Sequence, residues 1–333
     1  MKPSVRIVIV NYRTPGLVVD CLRSLAPQVR ELADARVVVV DGGSGDGSTE
    51  TLVADIRQEG WGRWVELLPL ADNRGFAAGN NAAIRPWLHS PAAPDYVLLL
   101  NPDTVVRPGG VRALVEFMEA HPGAGIAGSR LEDPDGTPQR SAFRFPSLAS
   151  EFDGGLRLGL VTNLLSRYVV APTVRDESHE ADWVSGASLM VRRAVFEAVG
   201  LMDEAFFLYY EETELCFRAR RAGWTTWYVP ESRVVHLVGQ STGLNSNQTP
   251  ARRIPEYWLR SRRHYFSKCH GALYRVACDV AWAVGFLCWR VRRRVQGKPD
   301  RDPPNLLVDF LRFSLDLPRK SQPSRAALGS VPT

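Results

Sequence analysis

Cysteine is scarce in this chain of 333 residues, and its pattern excludes two common scaffolds. There are five, Cys21, Cys216, Cys269, Cys278 and Cys288, an odd number with no Cys-x-x-Cys among them. Neither a disulfide framework nor a zinc ribbon is expected, and a reducing, cytoplasmic setting follows. Long apolar runs are also missing. The longest in the C-terminal part, Val280 to Trp289, is too short to span a bilayer. Near the N-terminus the run Val5–Val10 meets polar residues at Asn11. It lacks the length and cleavage site of a signal peptide and reads as a buried first strand. The Gly-rich segment Asp41–Ser48 is not spaced as G-x-G-x-x-G and carries no P-loop lysine, which weakens dinucleotide and ATP readings. Disorder is not indicated either, since 45% of the residues are hydrophobic and 23% charged.

The charge that is present is unevenly spread. Residues 251–333 hold 17 Lys/Arg against 6 Asp/Glu, whereas residues 1–250 hold 24 against 30. A mildly acidic body therefore carries a strongly basic tail, which suits an anionic partner surface.

Strand and helix signals alternate through the first half. Val5–Val10, Arg36–Val40, Val65–Leu70 and Tyr96–Leu100 read as strands. Leu17–Leu25, Thr51–Glu59, Gly79–Leu88 and Val111–Ala120 read as helices. This is the pattern of an α/β protein with a mainly parallel sheet flanked by helices, in which ligands bind beyond the carboxyl ends of the strands. Polar clusters stand at those ends: Asn11-Tyr12, Asp41 to Asp46, and Asn101 to Asp103. Residues 131–182 show weak periodicity and are expected to form irregular loops around the site. Order returns at Trp183–Val191 as a strand, at Ala194–Val199 as a helix, and at Glu211–Gly223 as a helix stopped by Gly223. Trp227–Pro230 and Arg233–Leu237 read as two short strands.

Four segments carry chemistry. In Asp41–Ser48 the glycines admit close approach of a ligand, and Asp41 can accept from a base or ribose; a plain turn with Ser48 as helix cap explains it as well. Asp103 of Asn101-Pro102-Asp103 can hold a hard cation on substrate phosphates, or close an Asn-Pro turn. Glu211 and Glu212 open a helix, where one of two adjacent acids can serve as a base or both simply complement the helix dipole. The aromatic run Phe206 to Tyr210 beside them suits a sugar-facing wall or core. His236 at a strand end is a metal or phosphate ligand, or structural.

In order along the chain stand Val-Val-Asp41-Gly-Gly-Ser44-Gly-Asp-Gly-Ser, Asn73-Arg-Gly75-Phe76-Ala-Ala-Gly79-Asn80-Asn81, Leu-Leu-Asn101-Pro102-Asp103, Asp182-Trp183-Val-Ser-Gly186-Ala, Tyr-Glu211-Glu212-Thr-Glu214-Leu-Cys-Phe-Arg218 and Val-Val-His236. This set, over roughly residues 5–270, resembles glycosyltransferase family 2, closest to its rhamnosyltransferase-like branch. The resemblance implies a GT-A fold and inverting transfer from a nucleotide-diphosphate sugar, a dTDP- or UDP-sugar with rhamnose as the best single expectation, to a saccharide or lipid-linked saccharide in cell-surface polysaccharide synthesis. It implies that Val10, Asn11, Tyr12, Asp41, Ser44, Asn73, Gly75, Phe76, Asn80, Asn101 and Asp103 bind the donor. Asp103 would hold Mg²⁺ or Mn²⁺, with His236 beside it. Trp183 and Gly186 would lie near sugar and acceptor. Glu212 stands where the family commonly has the aspartate base, with Glu211 as the alternative. Nucleotidyl transfer, or carbohydrate binding at a degenerate site, are the competing readings.

The tail completes the expected organisation: a GT-A domain over 1–268, an amphipathic helix over 269–296 and a Pro-rich basic tail over 297–333. Trp282, Trp289 and the arginines ending at Arg294 suit a helix lying at a membrane surface on the cytoplasmic side, or one packed on the domain. Nucleic acid is not an expected partner, because the body is acidic and no binding motif is present.

Overall fold

The computed structural model describes residues 3–88, 90, 92–237 and 253–316. Its first half is a run of strands and helices in alternation: β1 (Ser4–Asn11), α1 (Pro15–Glu31), β2 (Asp34–Asp41), α2 (Ser48–Gln58), β3 (Val65–Pro69), α3 (Phe76–Leu88) and β4 (Tyr96–Leu100). The four strands lie side by side in the order β3-β2-β1-β4, all parallel. Alternation at period two sorts their side chains onto two faces. Val5, Ile7 and Ile9 join Val37, Val39, Leu98 and Leu100 in one buried cluster, and Val8 joins Val38, Val40, Val97 and Leu99 in the other. Each such side chain fully withdrawn from water is worth about 1.5–3 kcal/mol, so both faces must stay covered. Helices cover them, and the strand ends are left as the accessible edge.

The second half adds β5 (Thr104–Val106), α4 (Gly110–Ala120), β6 (Ala124–Glu132), β7 (Ala142–Phe143), α5 (Leu148–Leu156), α6 (Gly159–Leu164), β8 (His179–Ala181), β9 (Trp183–Val184), β10 (Ser188–Arg192), α7 (Arg193–Val199), α8 (Glu211–Arg221) and β11 (Thr225–His236). The sheet continues β4-β10-β6-β11-β5, with β10 antiparallel to both neighbours and β5 antiparallel to β11. Three expectations change here. The strand expected over Trp183–Val191 is two strands in two sheets, because the chain turns at Ser185–Ala187; β9 pairs with β7, and β10 enters the main sheet. The two strands expected at Trp227–Pro230 and Arg233–Leu237 are one, β11, interrupted by a register shift between Val229 and Arg233. Residues 131–182 are not irregular throughout, since they contain β7, α5, α6 and β8. Helix α1 also runs past Leu25 to Glu31, through Pro27, and Ser48 is the first residue of α2 rather than its cap, which is Gly47.

Three further helices follow, α9 (Glu256–His270), α10 (Ala272–Val295) and α11 (Leu306–Ser314). Cys269 and His270 thus belong to α9, not to the long helix expected from 269. Helix α10 packs along α5 with the two backbones almost touching. A Cβ on Gly285 would sit 2.5 Å from the Phe152 carbonyl, and one on Gly155 would sit 2.4 Å from that of Trp282. Within the Pro-rich tail expected over 297–333, α11 is helical and stacks Phe310 on Trp282 at 4.0 Å; residues 317–333 lie outside the described residues.

Candidate active site

The carboxyl ends of β1 and β2 are locked together by one buried carboxylate. Asp41 accepts from Asn11 Nδ2 at 2.7 Å, Ser44 Oγ at 2.5 Å, Thr49 Oγ1 at 2.9 Å and the Ser44 N–H at 3.2 Å. Asn11 Oδ1 in turn accepts from the N–H and hydroxyl of Thr14. Asp41 and Ser44 therefore shape the Gly-rich turn. Gly43 is essential to that shape: its φ is +67°, and a Cβ would stand 2.7 Å from the Asp72 backbone.

Beside this clasp opens a cavity of about 370 Å³. It brings together Val10, Asn11, Tyr12, Asn73, Gly75, Phe76 and Asn101, all singled out from the sequence. Asn73 Oδ1 accepts the Gly75 N–H at 2.9 Å, and the Phe76 N–H donates to the Phe207 carbonyl at 2.9 Å. Gly75 has φ +90° and lies so close to Phe207 that a Cβ would stand 2.1 Å from its carbonyl oxygen. The turn thereby seats the 205–210 segment as the opposite wall. Phe206 is buried in core against His264, whereas Phe207 and Leu208 face the cavity. Tyr257 of α9 closes this wall, its ring 5.6 Å from Phe207. Sequence reasoning missed Tyr257, because no periodic signal distinguishes it from the other aromatics of α9. Asn80 lies under the cavity with Nδ2 donating to the Phe76 carbonyl. Its neighbour Asn81 does the joining, exchanging hydrogen bonds with the Met202 backbone.

The acids are not among the residues that line this cavity, but Asp103 directly follows its lining residues Asn101 and Pro102. Asp103 follows β4 and is buried, with His236 Nε2 3.6 Å from its Oδ1. They meet because β5 pairs antiparallel with β11, placing His236 opposite Thr104. Burial lowers the His236 pKa, and Asp103 opposes that shift. Among the described residues no group of three His, Cys, Asp or Glu forms a complete metal cage. One carboxylate and one imidazole nonetheless suit a divalent cation that takes its remaining oxygens from a bound diphosphate and water.

Glu211 and Glu212 open α8 behind two tyrosines in left-handed conformation, Tyr209 at φ +70° and Tyr210 at +72°. Such strain costs about 1–2 kcal/mol per residue, and it aims the helix start at the cleft. The Asn101 N–H donates to the Ala187 carbonyl at 3.0 Å. The preceding Gly186 N–H bonds the Glu212 carboxylate, and a Cβ on Gly186 would stand 3.5 Å from Glu212 Oε1 and 3.6 Å from the Phe76 ring. Glu212 is thus lodged between the cavity wall and the end of β4. Burial raises the pKa of both acids, Glu211 the more, with the Glu212 charge adding to its shift. Oε2 of each is buried with no hydrogen-bond partner among the described residues. The third acid, Glu214, is structural: Arg218 grips it at 2.6 and 2.8 Å, and Lys268 pairs with it at 2.9 Å. Trp183 is also engaged, stacked on Phe143 at 4.2 Å with its indole N–H donating to the Arg144 carbonyl. A Gly-x-Gly-x-x-Gly spacing does occur at 123–128, but it runs into β6, where Gly128 makes room for Val184 rather than for a phosphate.

A parallel half-sheet with a cleft at its strand ends is the GT-A architecture of sugar-nucleotide enzymes. The chain belongs to the glycosyltransferase-like family 2, whose model matches residues 3–252, and it is a glycosyltransferase. It is 33% identical over 223 residues to the N-acetylglucosaminyl-diphospho-decaprenol L-rhamnosyltransferase of Mycobacterium tuberculosis, covering 62% of this chain and 68% of that one. It is 27% identical over 292 residues to the dTDP-rhamnosyl transferase RfbF of Shigella flexneri, covering 85% and 87%. Among solved structures, the mannosyltransferase PcManGT of Pyrobaculum calidifontis, in complex with GDP-Man and Mn²⁺, shares the fold at TM-score 0.54 and 16% identity, covering 90% of this chain and 77% of that one. GalNAc-T7 with UDP, GalNAc and Mn²⁺ does so at TM-score 0.58 and 14% identity, covering 95% and 56%.

Proposed function

We propose that the protein transfers a rhamnosyl group, with inversion, from a dTDP- or UDP-sugar to a saccharide on a lipid-linked acceptor at the cytoplasmic face of the membrane. The observation that carries this reading is the Asp103–His236 pair directly after the cavity-lining Asn101-Pro102, together with Glu212, which packs against Gly186 near Phe76 and has one oxygen without a hydrogen-bond partner among the described residues. The names of the relatives support the sugar and the acceptor class, and the two Mn²⁺-bearing neighbours support a divalent cation, Mg²⁺ or Mn²⁺. Asp103 and His236 would hold that cation. When bound, it offsets charge on the leaving diphosphate. Asn11, Tyr12, Asn73 and Asn101 line the space for the nucleotide, and Phe207 and Tyr257 give the apolar wall that shields it. Glu212 takes the proton of the acceptor hydroxyl as that oxygen attacks the anomeric carbon. A carboxylate with one oxygen left unpaired among the described residues, and with a pKa raised by burial, is suited to that transfer.

Donor binding and turnover separate the two acid positions. Glu212→Gln should keep its affinity for dTDP-rhamnose in calorimetry while transfer falls by about 10²–10⁴-fold. Asp103→Asn should lose the part of donor affinity that depends on Mn²⁺. Full transfer by the glutamine variant would move the base to Glu211, and metal-dependent donor binding unchanged in Asp103→Asn would remove Asp103 from the cation.

A further inference from the structure

Helix α10 is built inside out. Its one acid, Asp279, faces the protein and accepts from Arg262 at 2.5 Å and Arg275 at 3.0 Å. Arg293 is buried on that same side and pairs with Asp300. The outward face carries Leu273, Val276, Val280, Val284, Leu287 and Val291, from 46% exposed at Val284 to 89% at Leu273. Spacings of three and four residues set them in one row down the helix. Every exposed side chain between Ala272 and Val291 is apolar, Cys288 included. In water this arrangement leaves a continuous apolar ridge that soluble surfaces avoid.

We propose that this ridge is a membrane-docking face, with α10 lying in the plane of the bilayer and its arginines at the headgroups of anionic phospholipids. Charge selects this occupant. The last turns of α10 carry the exposed Arg294 and the half-buried Arg290 and Arg292, of which Arg290 lies 3.8 Å from Asp300 and Arg292 donates to the Leu156 and Arg157 carbonyls, and residues 251–333 are strongly basic as a whole. A second copy of the chain would bring the same ridge and the same positive charge, so it offers no complement. Helix length does not decide between lying and spanning, since its 24 residues are long and apolar enough to cross. Packing decides it. A crossing helix would have to leave α5, where glycine backbones interlock, and would carry Asp279 and Arg275 into hydrocarbon at about 2.5–3.5 kcal/mol each. A helix lying flat keeps those partners and buries only the ridge.

The docking face goes beyond the transferase reading and stands on the surface of α10 alone. Cys288 lies on the ridge and serves as a reporter, in a Cys269→Ser background that removes the other accessible thiol. An environment-sensitive dye on Cys288 should shift to the blue with vesicles of phosphatidylcholine and phosphatidylglycerol, and the full chain should sediment with them more strongly than with phosphatidylcholine alone. Val280→Glu, Val284→Glu and Leu287→Glu combined should weaken that sedimentation by about tenfold or more, with dTDP-rhamnose affinity unchanged as a check on folding. No shift with the anionic vesicles, or undiminished sedimentation of the triple variant, overturns the proposal. A blue shift without lipid that grows with protein concentration overturns it in favour of a second copy. Loss of dTDP-rhamnose binding in the unsubstituted protein would fault the donor assignment and leave the docking face standing.

Discussion

A carboxylate in the first turn of a helix is normally held in its charged form by the free N–H groups and the helix dipole. Glu211 and Glu212 occupy that position in α8 and are driven the other way, because burial outweighs the dipole. Their consequences differ. For Glu212, working as a base requires the charged form, so the acid limb of kcat/KM should lie above the ordinary glutamate value of 4.5. For Glu211, the consequence is stability. Its folded pKa is raised, so the unfolded chain releases this proton first, and stability present below pH 4.5 is lost as pH rises toward the folded value. Glu211→Gln cannot ionise and should be the more stable protein at neutral pH, by on the order of 1–3 kcal/mol. Thermal melts across pH check this: the gap between variant and parent should widen from pH 4 upward, and a gap independent of pH would show that Glu211 does not titrate in the fold.

Elements were legible in the sequence where one periodicity rules a whole segment. The parallel strands are short apolar runs, three of which end at polar clusters, so both the sheet and the location of the cleft could be read. Reading failed where a second sheet or a bulge intervenes. Nothing in Trp183–Val191 says that its first two residues pair with Ala142–Phe143 and its last with β4, since both halves are simply apolar. Tyr257 reaches the cleft from a helix far along the chain, and local pattern holds no trace of that. The packing of α10 on α5 was equally hidden, for glycine marks a close approach only once its neighbour is known. That contact carries a prediction of its own. In Gly285→Leu the new side chain meets the Phe152 carbonyl, which Cβ alone would approach to 2.5 Å, and α10 must lift or tilt. A loss of about 1–3 kcal/mol is expected from such overpacking. Denaturant titration measures it; unchanged stability would mean that the helices separate freely.

At the scale of the molecule, the question is whether the C-terminal helices are an appendage or part of the body. The sequence suggested a boundary near residue 268, where a separate amphipathic helix was expected to begin. The packing argues for integration. Arg262 of α9 binds Glu151 of α5 at 2.7 Å and Asp279 of α10 at 2.5 Å, so one buried guanidinium joins three helices. The Tyr274 hydroxyl accepts from the Leu148 N–H, and Cys278 is buried with Phe206, Tyr265 and Phe266. Phe206 adjoins Phe207 in the cavity wall, and Tyr257 of α9 completes it. The helical part therefore packs directly behind the wall of the cavity, and its loss is expected to disturb that wall. Removing residues 271–333 deletes one carboxylate of a buried charge network, a change that typically costs about 3–5 kcal/mol, and uncovers Phe266. The full chain should unfold calorimetrically in one transition, and the shortened chain should melt lower and bind dTDP-rhamnose more weakly. An independent appendage predicts the opposite, two transitions in the full chain and a shortened chain whose melting temperature and donor affinity match the parent. Weakened donor binding without any fall in melting temperature would confine the coupling to the cavity wall, where Tyr257 stands.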